Sequence, residues 1–286
     1  MLPKLKNIPV HDFSLDNASS IPFKITPLEL KHEYDSNIPH RHNYYEVFIF
    51  KKGGGIHEID FSTFEIVSNS IHFVSPGQVH QVQRSLNTYG QLILFSRDFY
   101  GLNINNKDLL FDLPFLNNNS SNPILNLSEI EMSVFLPLLE TIDTEFKSDN
   151  QQREEIIRSY LHILLMRSHQ LYANKYPEAS TVQGSKMYKD FRILLEKNFI
   201  RLHKVKEYAE LMSTTQKTLN ETIKKLTGKT ASDHIYDRII LEAKRLLKHS
   251  ALNTKEIAYF LNYQDPAHFS KFFKTKTGLS PSDYIN

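Results

Sequence analysis

"KEIAYFLNYQDPAHFSKFFKTKTG", Lys255 to Gly278, decides how this chain is read. Asp265 followed by Pro266 is a capping residue and then the residue best suited to a first helical position, so a short helix opens here. Phe269 and Phe273 are one helical turn apart and share a face, while Lys271 and Lys274 lie around the other side. Thr277-Gly278 is a natural helix stop. An ordinary amphipathic helix with a solvated basic face satisfies all of this. The meaning of the stretch therefore depends on what precedes it.

Upstream, the same pattern occurs again. Leu219, Ile223, Lys224, Thr227 and Gly228 align with Phe269, Phe273, Lys274, Thr277 and Gly278 at a spacing of 50. "GKTASDHI" from Gly228 returns as "GLSPSDYI" from Gly278. "KEYA" from Lys206 returns as "KEIA" from Lys255, one residue out of step. Each copy reads as a short helix, a turn and a second helix carrying two apolar residues four apart. Ala209 and Ala258 leave room for the helices to pack closely. This is the sequence shape of a helix-turn-helix. Between the copies, "HIYDRIILEAKRLLKHS" (234–250) is a strongly periodic helix that fixes their separation.

Burying the two aromatics turns His268, Ser270, Lys271 and Lys274 outward. In a helix-turn-helix the outward face enters the major groove, and two copies on one rigid helix suit two successive grooves roughly 34 Å apart. Charge agrees. Residues 181–286 carry 19 Lys+Arg against 11 Asp+Glu, a balance of +8, whereas residues 1–180 carry 15 against 21, a balance of −6. One basic module that meets a polyanion is joined to one that does not. Double-stranded DNA is the expected partner.

The chain has no Cys, which excludes disulfides and thiolate metal sites. The start, "MLPKLKNIPVHDF", has no apolar stretch of signal-peptide length. "YYEVFIF" and "QLILF" fall far short of the roughly 20 residues that span a bilayer. No membrane association and a cytoplasmic location are expected.

Residues 186–286 resemble the DNA-binding domain of AraC/XylS-type bacterial transcription regulators. The resemblance is carried by "EAKRLL" (242–247), the quoted stretch Lys255 to Gly278, and "LSPSDY" (279–284). Asn262 stands where that family usually has Gly, and Asn is the next most tolerant of left-handed backbone geometry. Carried over position by position, base contacts fall to Lys217, Asn220 and Glu221 in the first unit and to Ala267, His268 and Lys271 in the second. Asn220 suits adenine, Glu221 the cytosine amino group, and Ala267 a thymine methyl. Lys224 and Lys274, a turn later, are placed at phosphates. An activator of this type would also meet RNA polymerase.

The first part of the chain reads as short β-segments: "YEVFIF" (45–50), "FEIV" (64–67), "SIHFV" (70–74) and "GQLILF" (90–95), separated by the turns "KKGGG", "VSNS" and "SPGQ". Asn-rich stretches from Asn103 and Asn117 read as surface loops. Helical spacing takes over at 127–146, with a Ser128/Glu131 capping box and a kink expected at Pro137, and again at 151–172. These two helices either pack on the β domain or form a homodimer seam.

"PHRHNYYEVFIFKKG" (39–53) with "PGQVH" (76–80) resembles the first cupin motif and a degenerate second one, the sensor barrel joined to many regulators of this family. The resemblance implies a pocket holding a small-molecule effector, lined by His40, His42, Glu46 and His80, with Tyr45 and Phe48 among the neighbouring aromatics. Three histidines and a carboxylate also suit a divalent metal, and a metal-dependent cupin enzyme tethered to DNA is one rival reading. A regulator with no small-molecule effector is another. The expectation is a non-enzymatic barrel with no metal and no cofactor.

The expected fold is therefore α+β and multidomain. A cupin-like β-barrel spans 1–125, a helical pair 126–173, a linker 174–185, and an all-α domain with two helix-turn-helix units 186–286.

Overall fold

The computed structural model describes residues 8–12, 22–28, 35–101, 109–116, 122–177 and 186–285. It divides into two compact units, one within residues 9–181 and the other containing 182–286. Among the described residues no helix is long and apolar enough to cross a membrane.

β-branched and aromatic runs bounded by turns become strands in the first unit, as expected of side chains that suit a pleated, buried surface. The described strands are β1 (Val10–His11), β2 (Phe23–Pro27), β3 (Arg41–His42), β4 (Tyr45–Lys52), β5 (Gly55–Ile59), β6 (Ser62–Glu65), β7 (Ser70–Val74), β8 (His80–Arg84), β9 (Tyr89–Phe95) and β10 (Ile124–Asn126). Five of them form one sheet in the order β10-β7-β4-β9-β2, and three form another, β6-β5-β8. β1 and β3 pair separately, and in parallel. "SIHFV" is β7 as expected. "KKGGG" is shorter as a turn than expected, because its last glycine already opens β5.

The five-stranded sheet buries both faces. Phe48, Phe50, Val74, Leu92 and Leu94 point inward and meet Ile59 and Val82 of the smaller sheet. Their neighbours Tyr45, Val47, Ile49, Phe73, Ile93 and Phe95 face α2 (Glu129–Lys147) and α3 (Arg153–Lys175). Met132, Phe135, Leu139 and Ile142 of α2 join Ile157, Leu161, Leu164 and Leu165 of α3 in that outer core. The helical pair thus packs on the barrel. The Ser128/Glu131 capping box is formed, with both reciprocal bonds present, and α2 continues through Pro137. α3 reaches Lys175 and so enters the stretch expected as a linker, of which residues 178–185 lie outside the described residues. The Asn-rich loops at 103–108 and 117–121 also lie outside them.

The second unit is helical: α4 (Lys186–Asn198), α5 (Val205–Leu211), α6 (Gln216–Thr227), α7 (Ala231–His249), α8 (Thr254–Phe260), α9 (Pro266–Thr277) and α10 (Pro281–Ile285). The short α1 (Arg97–Gly101) belongs to the first unit. The repeat is structural. α5 and α6 correspond to α8 and α9, and Leu219, Ile223, Phe269 and Phe273 are all fully buried. α7 lies between the copies with Arg238, Glu242 and Arg245 buried along it. Arg238 pairs with Glu196 at 3.0 Å and with Glu242 at 3.3 Å, its guanidinium 3.6 Å from the centroid of the Phe199 ring. Hydrogen-bonded partners of this kind are what make buried charges tolerable.

Candidate nucleic-acid interface and barrel pocket

Each recognition-type helix is placed by its caps. Thr215 accepts the Thr218 amide at the start of α6, and Asp265 accepts the Ala267 amide at the start of α9. Each helix ends on a left-handed glycine, Gly228 at φ 75° and Gly278 at φ 82°. With the apolar pair of each helix buried, Lys217, Glu221, Lys224 and Lys225 are exposed on α6, and Ala267, His268, Lys271, Lys274 and Thr275 on α9. Lys217 and Glu221 face one another at 4.0 Å with side chains 83% and 68% exposed, a pair worth little in water and free to rearrange on a duplex. His268 is 3.8 Å from Asp265 across the first turn of α9.

Asn220, expected to read bases, and Ser270, expected to face outward, are each bonded within the protein. Asn220 is half-buried, and its Oδ1 accepts the Ala231 amide at 3.1 Å, so it holds the start of α7. Ser270, the equivalent residue 50 positions on, is also half-buried, and its hydroxyl donates to the Pro266 carbonyl at 2.9 Å. Both sit at the edge of the buried face, where a polar side chain finds protein partners before it finds solvent. Lys225 and Thr275, which sequence reasoning passed over, share the exposed face. Their signal was present, since each follows the assigned lysine by one residue and points away from the apolar pair.

In the barrel, the loop 75–79 brings the two motifs together. The Gly77 amide donates to the His42 carbonyl at 2.9 Å, and Gly77 takes φ 80° to do so. His40 and His80 exchange both backbone bonds, at 3.0 and 2.9 Å. His42 Nε2 lies 3.1 Å from His80 Nε2 and 3.2 Å from Glu46 Oε2, and His80 Nε2 lies 3.4 Å from the same oxygen. All three side chains are buried. His40 stands beside them, its ring centroid 4.3 Å from that of His80, with Nδ1 donating to the Ile38 carbonyl at 2.8 Å.

The chain of histidines runs on. His80 Nδ1 is 3.1 Å from His57 Nε2, and His57 Nδ1 is 3.1 Å from His72 Nδ1. Burial pushes His57 and His80 well below the ordinary imidazole range, His40 down to about 4 and His72 down to about 3. The sequence reading missed His57 and His72. The alternation of "GIHEI" puts His57 on the same face as the buried Ile59, which is the signal that could have found it. His72, in a strand buried throughout, had no such signal.

Tyr45 is the correction to the expected inner lining of the barrel. It alternates with Glu46 along β4, faces the helices, and stacks on Phe95 at 5.2 Å. Tyr44 takes the place expected of it, stacked on His42 at 4.4 Å within the inner cluster. Phe48 does face inward, 5.0 Å from His57 and 6.0 Å from His80.

Comparison with known proteins agrees with this division of the chain. Residues 22–103 match a model of the AraC-like ligand binding domain, and residues 208–286 match a helix-turn-helix domain model. The HTH-type transcriptional activator RhaS of Salmonella schwarzengrund is 25% identical over 246 residues, covering 85% of this chain and 86% of that protein. The HTH-type transcriptional activator RhaR of Escherichia coli (strain K12 / MC4100 / BW2952) is 20% identical over 255 residues, 86% of each. The solved structure of ToxT from Vibrio cholerae covers 92% of this chain and 97% of its own at 15% identity, with a TM-score of 0.40, a likeness too loose to argue from.

Proposed function

This chain belongs to the AraC family of DNA-binding transcription regulators, with an N-terminal ligand-binding domain, and we propose how it reads DNA and what its barrel is for. α6 and α9 enter successive major grooves. Lys217 and Glu221 meet base edges in the first, Ala267, His268 and Lys271 in the second, and Lys224, Lys225 and Lys274 meet phosphates. One observation carries this reading: two helices in equivalent settings bury equivalent apolar pairs and expose the same positions of a basic unit.

The barrel is a sensor and not an enzyme. A small molecule lies against Tyr44 and Phe48, beside His40, His42, Glu46 and His80. The protein works in the cytoplasm as a homodimer, and an activator role would bring it into contact with RNA polymerase. Ile130 and Val134, exposed one turn apart on α2, support a dimer seam on that helix.

Site selection from a randomised duplex tests the DNA reading. Glu221→Ala and Lys271→Ala each shift the preferred base at one position, by roughly 1–3 kcal/mol of discrimination. Lys274→Ala weakens binding to every sequence alike and lowers the salt slope by about one. Selected sites identical to wild type for both base-facing variants would show that other residues read the bases. Thermal shift against a metabolite panel tests the sensor, since a ligand at 100 times its Kd adds about 2.7 kcal/mol.

A further inference from the structure

His42, Glu46 and His80 were expected to form a metal-free pocket. Their geometry points to a divalent cation site in the barrel, with His42 Nε2, Glu46 Oε2 and His80 Nε2 as its ligands and His57 as the residue that orients His80.

The three donor atoms form a nearly equilateral triangle with edges of 3.1, 3.2 and 3.4 Å. A point equidistant from the corners lies about 1.9 Å from each, so an ion slightly above that plane makes bonds of about 2.0–2.2 Å, the lengths at which zinc takes imidazole nitrogen and carboxylate oxygen. A hydrogen bond is the alternative explanation for any one edge. A shared proton bridges one edge, however, and all three are short. The Tyr44 carbonyl accepts from His42 Nδ1 at 2.6 Å, so that nitrogen carries a proton and Nε2 is the ring atom available to an ion, aimed at the other two atoms.

The surroundings match what a bound ion needs. His80 Nδ1 lies 3.1 Å from His57 Nε2 and His57 Nδ1 lies 3.1 Å from His72 Nδ1, so the His80 tautomer that places its proton on Nδ1 has a partner there and keeps Nε2 for the ion. Partners of this kind hold ligand rings in one tautomer and orientation. His57 lies on β5, which pairs with the β8 strand that opens on His80, so the smaller sheet supplies both a ligand and the residue that orients it. Two imidazoles and one carboxylate select borderline divalent ions, Zn, Fe, Co or Ni, over Mg or Ca. Three ligands leave coordination positions open, whether or not the barrel also senses a small molecule.

The test uses the full-length protein, stripped with chelator, dialysed, and titrated separately with Zn²⁺ and Co²⁺. One equivalent should bind per chain with submicromolar Kd, and the cobalt form should show a visible d–d band that zinc abolishes. Glu46→Gln and His80→Asn should each weaken binding at least 100-fold. His57→Gln should weaken it about 10–100-fold, as loss of an orienting partner does. His169→Gln, on α3, should change nothing. Circular dichroism reports whether each variant folds. If His80→Asn does not, the near-isosteric Glu46→Gln and the wild-type stoichiometry decide. A wild type that takes up neither ion, or a folded Glu46→Gln that binds as tightly as wild type, overturns the site.

Discussion

The two helix-turn-helix copies differ by one residue, and the position of that residue is informative. Through the first helix and into the turn they match at a spacing of 49. The Thr214 amide donates to the Ala209 carbonyl as the Tyr263 amide does to Ala258, each at 2.9 Å, and the left-handed residues are Ser213 and Asn262. From the caps Thr215 and Asp265 onward they match at 50. The extra residue is therefore Gln264, in the loop leading into α9. An insertion in an exposed connection leaves both packed halves of the motif intact, and surface loops tolerate this at little cost. Tyr263 uses the longer loop to lay its ring 5.4 Å from Phe269 and 5.0 Å from His203.

The most damaging way to break the comparison is to empty each copy's core. Phe273→Ala should cost about 3–5 kcal/mol and Ile223→Ala about 2–5 kcal/mol, because both residues are fully buried in their copies. Both copies rest on α7, through Asn220 against Ala231 on one side and Tyr236 against Phe272, 5.4 Å apart, on the other. A fragment of residues 182–286 should therefore unfold in one calorimetric transition that either variant shifts. Two transitions, each sensitive to only one variant, would mean that the copies fold separately.

The helical copies were legible because a helix repeats its burial every 3.6 residues and announces its ends. Asp265-Pro266, Thr277-Gly278 and Ser128/Glu131 all mark boundaries where the structure places them. Reading failed at the margin of a face, where spacing alone does not say whether Asn220 or Ser270 turns in or out. The barrel was harder to read. β4 is buried on both sides, so "YEVFIF" is apolar but for Glu46, and nothing in it marks Tyr45 as facing helices and Glu46 as facing the interior. β2, β8 and β10 passed unread, and β5 was hidden by the glycines before it. His42, Glu46 and His80 were legible as a motif. That His57 and His72 extend them is a fact of sheet facing sheet.

A smaller effect sharpens the likeness. Gly228 and Gly278 end α6 and α9 at φ 75° and 82°, and a methyl group added to either meets no atom within 4 Å. Any cost of Gly→Ala is then conformational, the roughly 1–2 kcal/mol of placing an L side chain in the left-handed region. Gly228→Ala and Gly278→Ala should lower the melting temperature of the 182–286 fragment equally, each by roughly 4–8 °C per kcal/mol for a domain of this size. Unequal losses would show that the two helix ends are held by different surroundings.

The smallest effect should differ in sign between the copies. Ser213 at φ 50° and Asn262 at φ 60° occupy the same left-handed turn position. Serine bears the strain of that conformation, about 1–2 kcal/mol, which glycine removes while adding about 0.5–1 kcal/mol of unfolded-chain entropy. Ser213→Gly should therefore stabilise the fragment by up to about 1 kcal/mol. Asn bears less strain there, and the Asn262 Nδ2 donates to the Arg201 carbonyl at 3.1 Å, a bond glycine cannot make. Asn262→Gly should thus be neutral or destabilising by up to about 1 kcal/mol, although glycine suits the backbone at both positions. Urea unfolding of the two variants side by side measures the difference. Equal stabilisation by both would show that the bond to Arg201 contributes nothing and that Asn262 is kept in its turn by backbone tolerance alone.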